Sequence, residues 1–308
     1  MRRLLEMVAL LAPVLLTAAV TAGCAAGPAP RPTVAGSFGS DPVVTLPPGK
    51  PPGHLLVQTI HAGGGPVVRG ADYVLFEVQG KVWNGDREIA DSFTDHQPQG
   101  LPLSSAMPAW RHLAGQRVGS RVLMVVPPGD GFGSGGDPAA GVTGNDTLVF
   151  VFDLLAALPA GASATGAAVG YQPGAHLPSI RAGTGGPAVT VPRGEKPPAG
   201  LVTRVLIRGR GPAVQAGQTV IVQDTGVVWR TGKVFDSSWQ RRFPEAFRLG
   251  AGQVIPALEK GLTGVPAGSR VLLVVPPALG YGSGGDPSAG ITGNDTLVFV
   301  IDVLTAIG

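Results

Sequence analysis

Between residues 201 and 307 the apolar positions fall into runs that suit strands. Val202–Arg208 alternates and gives way to the turn residues Gly209–Gly211. Thr219–Val222 and Val227–Trp229 are β-branched and aromatic runs on either side of Gly226. Arg270–Val275 is a third run, closed by Pro276-Pro277, and Thr296–Leu304 is a fourth. One stretch has helical spacing. Ile255, Leu258 and Leu262 share a face at i, i+3, i+7, with Pro256 in the first turn and Gly261 or Gly264 at the end. The pattern predicts antiparallel strands with one short helix, an α+β domain.

The same pattern is written twice. Residues 118–158 and 267–307 align without gaps and are identical at 30 of 41 positions. Upstream, Gly80 corresponds to Gly226, Trp83 to Trp229, and the pair Asp91-Ser92 is matched to Asp236-Ser237. The leaders also match, PVVTLPPGKPPG against PAVTVPRGEKPPAG. A repeat of this length implies duplicated domains rather than a solenoid. The expected division is a domain over 55–158, an exposed linker over 159–200 and a second domain over 201–308. Residues 24–54, rich in Pro and Gly, are expected to form a tether with a short strand at Val43-Val44-Thr45. Val189–Val191 is expected to add a strand to the second repeat.

Composition removes several classes of function. Charged residues make up 14% of the chain, the net charge is +3, and no run of like charge occurs, so no nucleic-acid partner is expected. A single cysteine excludes an internal disulfide and a thiolate metal site. Gly131–Gly136 and Gly280–Gly285 match G-x-G-x-x-G, but Asp-Pro-x-Ala-Gly follows where a nucleotide site needs a helix, so no nucleotide is expected. Asn145 and Asn294 are read as turn residues before a strand. The five histidines recur at no corresponding repeat position and show no ligand spacing, so neither a metal nor another cofactor is expected.

The second repeat resembles the FKBP-type peptidyl-prolyl cis-trans isomerases. The resemblance rests on Gly226…Gly232-Lys233-Val234-Phe235-Asp236-Ser237-Ser238, then Phe247-Arg248-Leu249-Gly250, Gln253-Val254-Ile255-Pro256 and Glu259-Lys260-Gly261-Leu262. Pro276-Pro277-x-x-Gly280-Tyr281-Gly282 and Thr296–Phe299 complete it. It implies two domains, each a sheet of five or six antiparallel strands wrapped around one short helix. It also implies a pocket for proline-containing polypeptides between sheet and helix. Phe235, Phe247 and Phe299 would be its walls, Val254 and Ile255 its rim and Leu258 its floor. Tyr281 would supply a hydroxyl, Ile291 an apolar contact and Asp236 a carboxylate. Phe235, Asp236, Tyr281 and Phe299 would carry the isomerisation. Where the family commonly has Tyr after the second strand, this sequence has Asp224. The first repeat keeps Asp91, Trp110, Phe132 and Phe150 as equivalents of Asp236, Leu258, Tyr281 and Phe299. It has Ala90 set against Phe235 and Val78 against Asp224, and residues 93–107 preserve none of the wall motif. The implied activity is isomerisation of X–Pro bonds in exported proteins, outside the cytoplasm; the alternative is a non-catalytic peptide-binding chaperone or adaptor.

The amino terminus supplies the location. Arg2 and Arg3 precede an apolar run over residues 7–22 that is shorter than the ~20 residues a spanning helix needs. Small residues then lead to Cys24, the one cysteine of the chain. This resembles a bacterial lipoprotein signal, with residues 1–23 removed and Cys24 lipidated, although Thr21 stands where an aliphatic residue is usual. A lipid anchor at the cell membrane is the expectation, and secretion the alternative. Cys24→Ser should release the protein from the membrane fraction of a bacterial host; equal membrane association of wild type and variant would refute lipidation.

Overall fold

The computed structural model describes residues 31–183 and 185–308. The leader through residue 30, with the expected signal and Cys24, lies outside the described residues. Among those described, no helix is long and apolar enough to cross a membrane.

A hairpin of β1 (Thr33–Ala35) and β2 (Val43–Thr45) opens the described chain. The first domain follows as β3 (Leu56–His61), β4 (Asp72–Val82), β5 (Arg87–Asp91), β6 (Gln99–Pro102), β7 (Arg121–Val126) and β8 (Leu148–Pro159). Its sheet runs β3-β7-β8-β4-β5, with β6 on β4, and every pairing is antiparallel. Next come β9 (Ala167–Ala168) and a hairpin of β10 (Ser179–Arg181) and β11 (Ala188–Thr190). The second domain holds β12 (Val202–Arg208), β13 (Thr219–Val228), β14 (Val234–Ser237), α1 (Ser238–Arg241), β15 (Glu245–Arg248), α2 (Pro256–Leu262), β16 (Arg270–Val275) and β17 (Leu297–Ile307). Its sheet has the same order, β14-β13-β17-β16-β12, with β15 on β13 and β9 added outside β12. Among the described residues, six strands therefore build the first sheet and seven the second. In the first domain a 3₁₀ segment, Pro108–Leu113, takes the place of α2.

The central strands are buried on both faces, which explains why they read as unbroken apolar runs. On β8, Leu148, Phe150, Phe152 and Leu154 point to the inner core, while Val149 and Val151 point outward. The outer face is not left to water. Val34, Val44 and Leu46 of the leader pack there with Trp83, whose Nε1–H donates to Gly49 O at 3.0 Å. In the second domain Ile180, Val189 and Val191 cover the same face beside Trp229, whose Nε1–H donates to Glu195 O at 3.1 Å.

This corrects the reading of 24–54 and 159–200 as tether and exposed linker. Their described parts carry the two covering hairpins and an edge strand. Residues 188–190 pair with Ser179–Arg181 and not with the second sheet. The structural repeat thus begins at the hairpin, well before residue 55.

One ion pair recurs on the outer face. Arg121 and Asp153 are partners on β7 and β8, joined by two hydrogen bonds of 2.7 Å, with both side chains inaccessible to solvent. The leader completes the site. Gly36 O and Ser40 O accept from the guanidinium at 3.0 and 2.5 Å, and Gly39 N–H donates to Asp153 Oδ2 at 2.6 Å. Arg270 and Asp302 repeat the pair at 2.5 and 2.7 Å, with Ala164 N–H donating to Asp302 Oδ2 at 2.8 Å. Removing one partner of such a pair leaves a buried charge. Asp153→Ala should therefore cost about 3–5 kcal/mol, read by denaturant unfolding of the whole chain. Lys81→Ala, which breaks the exposed Lys81–Asp86 pair, should cost under about 1 kcal/mol. Equal, small losses would mean that the buried pair is not a folding determinant.

Candidate functional site

The second domain opens a cavity of about 210 Å³ between the inner face of its sheet and α2. Alternation along β13 turns Val220, Val222, Asp224 and Gly226 inward. Gly226 has no side chain for a reason. A Cβ there would lie 2.6 Å from Cζ of Phe235, so the missing side chain is what lets the Phe235 ring lie over β13. Phe235 meets Phe299 of β17 edge to face, with centroids 5.5 Å apart and planes at 89°. Phe247, on β15, forms the opposite wall.

The turn into α2 forms the rim. Ile255 caps the helix in extended conformation and Pro256 opens it, so Val254 and Ile255 reach the cavity and Leu258 lies on its floor. Among the described residues, the Ile255 N–H donates to no backbone acceptor. Tyr281 reaches the cavity from the Gly-rich loop and stays 39% exposed. Its hydroxyl pKa is raised by partial burial and by the charges of Asp286, Asp236 and Asp224.

A charged cluster forms one side. Asp224 is 6% exposed and its Oδ1 has no hydrogen-bond partner among the described residues. Burial pushes its pKa from 3.8 up to about 6, the Asp236 charge adds to this, and Arg241 and Ser238 oppose it. Carboxylate oxygens of Asp224, Asp236 and Glu245 lie within 4.8 Å of one another, a spacing that suits a cation. The chain supplies that cation itself, because the Arg241 guanidinium donates to both Asp236 and Glu245.

Of the residues expected at the site, Phe235, Asp236, Phe247, Val254, Ile255, Leu258, Tyr281 and Phe299 line one cavity. Ile291 does not line it. It is 3% exposed within the core behind the loop, where Asp286 and Ile291 exchange backbone hydrogen bonds. Val222, Glu245 and Ile301 line the cavity and were not legible as site residues. Inward alternation along β13 points to Val222, but nothing in the sequence places β15 beside it.

The first domain has a cavity of about 390 Å³ in the corresponding place, lined by Phe76, Val78, Ala90, Asp91, Gln99, Leu101 and Trp110 among others. Strand pairing corrects the alignment there. Gly80 faces Ala90 as Gly226 faces Asp236, so Ala90 takes the place of Asp236 and Ile89 that of Phe235. Accordingly Ser92 Oγ accepts from Val78 N–H, as Ser238 Oγ accepts from Asp224 N–H. Asp91 lies one position past the Asp236 site, where its carboxylate accepts from Phe93 N–H and from the Thr94 hydroxyl. Register also equates Leu101 with Phe247 and Gln99 with Glu245, so a wall does persist within 93–107. Phe150 lies behind the cavity, 2% exposed, and Phe132 stands 38% exposed outside it. Trp110 occupies the floor, edge to face with Phe76, Phe150 and Phe152. A larger cavity, about 550 Å³, lies at the seam between the domains, lined by Phe38, Glu77, His96, Arg248 and Ile307 among others. None of the expected site residues lines it.

The sequence family described as FKBP-type peptidyl-prolyl cis-trans isomerase matches residues 65–155 and 211–304. The chain belongs to this family. As an FKBP-type peptidyl-prolyl cis-trans isomerase it has relatives named for the same class. It is 45% identical over 118 residues to an FK506-binding protein of Streptomyces anulatus, a match covering 38% of this chain and 94% of that one. It is 42% identical over 105 residues to the FKBP-type isomerase FkpA of Escherichia coli K12, covering 34% of this chain and 37% of the relative. A match to FK506-binding protein 2B of Rhizopus delemar, at 39% identity, covers 57% of that relative. Some relatives are therefore matched over almost their whole length and others over about half or less. The crystal structure of FkpA from Escherichia coli aligns at 31% identity and TM-score 0.32, covering 34% of this chain and 48% of that one.

The Asp224 shift has a testable sign. Between about pH 4 and 6 the folded FKBP domain holds a proton that the unfolded chain has lost, so this group's contribution is best at low pH and is lost as pH rises through about 6. Asp224→Asn should raise stability by roughly 1–3 kcal/mol at pH 7 and by nothing at about pH 4. Denaturant melts at the two pH values measure this, and equal differences at both would show that burial does not strain the carboxylate.

Proposed function

We propose that the second domain is the main catalytic unit, acting on X–Pro bonds of exported, unfolded chains outside the cytoplasm and assisting their folding. The observation that carries this is the open aromatic cavity bounded by Phe235, Phe247 and Phe299, with Tyr281 at its mouth. Rotation about a peptide bond is opposed by amide resonance, with a barrier of ~18–20 kcal/mol. Lowering that barrier needs no nucleophile and no proton transfer. A twisted X–Pro amide has lost conjugation and charge separation. The aromatic side of the cavity, where the rings keep water from the amide, therefore favours it over the planar ground state, and a donor such as the Tyr281 hydroxyl or the Ile255 N–H holds its carbonyl. The exported setting rests on the lipoprotein-like leader, and Cys24 would then hold the domains at the membrane.

A second reading suits the first domain, where Trp110 occupies the floor with its buried Nε1–H unpartnered among the described residues. An apolar wall with one free donor suits gripping a peptide carbonyl without turnover.

In the full chain, Phe235→Ala should lower kcat/KM on an X–Pro peptide at least ~10-fold, about 1.4 kcal/mol of transition-state stabilisation. Phe235 is half-buried, so folding should survive. Tyr281→Phe should cost roughly 0.5–1.5 kcal/mol, the net worth of one hydrogen bond. Trp110→Ala should leave turnover within about 2-fold while weakening peptide retention. Turnover that survives Phe235→Ala in a folded chain but collapses on Trp110→Ala would move the catalytic assignment to the first domain.

A further inference from the structure

Asp224 is the feature that the isomerase reading leaves unused. Twisting an amide needs no carboxylate, and this one carries a cost. It breaks an inward row that is otherwise Val220, Val222 and Gly226. The sister domain shows that the fold does not require it, since Val78 stands there above a cavity of the same origin. Its Oδ1 is buried and unpartnered among the described residues although Arg241 lies close by, because Arg241 is committed to Asp236 and Glu245. A buried acceptor without a donor carries a desolvation cost, and a donor that enters the cavity beside Asp224 would offset it.

We infer that the second-domain cavity selects proline-containing segments with a cationic side chain, Lys or Arg, beside the proline, with Asp224 as the counter-ion. The inference rests on the proposed use of this cavity for X–Pro segments and names the class of segment it prefers.

The electrostatics of the cluster favour a cation. Asp236 faces Asp224 from β14, Glu245 from β15 and Arg241 from α1, with the neutral Ser238 hydroxyl also on α1. Tyr281 faces it from the loop. β17 presents Phe299 and Ile301, and the turn into α2 presents Gln253, Val254, Ile255 and Leu258, none of which carries a charge. Three carboxylates thus stand against one guanidinium when Asp224 is ionised. A segment with Glu beside proline would add a fourth negative charge in a low-dielectric cavity, and one with Leu would leave the excess negative charge of the cluster uncompensated. Lys or Arg supplies both a donor and the missing charge. Protonation of Asp224 removes that advantage, so the preference should fade toward acid.

The test uses the full chain and labelled tetrapeptides Ala-Xaa-Pro-Phe with Xaa Lys, Leu or Glu. Affinity is read by fluorescence anisotropy and kcat/KM by the isomerisation rate. The wild type at pH 7.5 should favour Lys over Leu by about 5- to 10-fold, and Leu over Glu by a further few-fold. At pH 5 the Lys-to-Leu ratio should fall to within about 2-fold. Asp224→Asn should bring the ratio at pH 7.5 to the same low value, while Asp224→Glu, which restores the charge, should keep it above about 3-fold. A wild-type ratio near one, or a ratio that Asp224→Asn leaves unchanged, overturns the inference. If no peptide is turned over, the isomerase reading falls and the affinity ratios alone decide this one.

Discussion

Both faces of each sheet are apolar, and a two-sided sheet must be covered twice. In the second domain α2 covers the inner face; in the first, the 3₁₀ segment around Trp110 does so. The outer face is covered by a segment that precedes the domain in sequence, a two-stranded hairpin sealed by the indole N–H of Trp83 or Trp229. The Arg–Asp pair on the same face belongs to this arrangement. In the first copy it can be buried because backbone groups of the leader, Gly36, Gly39 and Ser40, satisfy its remaining donors and acceptors; in the second, Ala164 N–H adds a donor to Asp302 while Arg270 keeps part of its surface in water.

The site depends on how incompletely the inner face is filled. Gly80 and Gly226 mark the same place on the sheet. Above Gly226 a phenyl ring lies over the strand and forms a wall. Above Gly80 the neighbours are Phe150 and the smaller Ile89. On the facing segment Leu258 leaves room, whereas Trp110 reaches into the aromatic cluster of Phe76, Phe150 and Phe152. Two copies that agree at most positions over 41 residues of core and loop thus differ in what their cavities can hold. Among the exchanges that separate them are Leu258 for Trp110, Phe235 for Ile89, Asp224 for Val78 and Asp236 for Ala90.

Much of this was legible in the sequence. The strands around residues 202–208, 270–275 and 297–307, the helix opened by Pro256 and the duplication all follow from periodicity, proline placement and self-alignment. Eight of the side chains that the family resemblance names do gather around one cavity. What escaped is of a different kind. The β14 and β15 strands are four residues each, too short for a two-residue period to stand out. Glu245 on β15 was therefore invisible at the site. Asp91-Ser92 resembles Asp236-Ser237 as a dipeptide, and that likeness concealed a one-residue offset that only hydrogen-bond register resolves. One strand of each hairpin was legible, at Val43–Thr45 and around Val189, but its partner strand and the sheet face it covers hid among Pro and Gly, because three-residue strands gain their order from the sheet beneath them and not from their own propensity.

The position of each hairpin ahead of its sheet has a consequence for how the chain is made. A ribosome releases the amino end first, so each cover is present before the apolar face it will seal. When Arg121 appears, the carbonyls that will receive its guanidinium have already emerged; when Arg270 appears, the β9 edge strand and the β10–β11 hairpin have emerged as well. In neither copy does a completed sheet wait with its outer face bare for a segment still to be synthesised. That order of appearance lowers the exposure of sticky surface during synthesis, a benefit that a cover encoded downstream would forfeit.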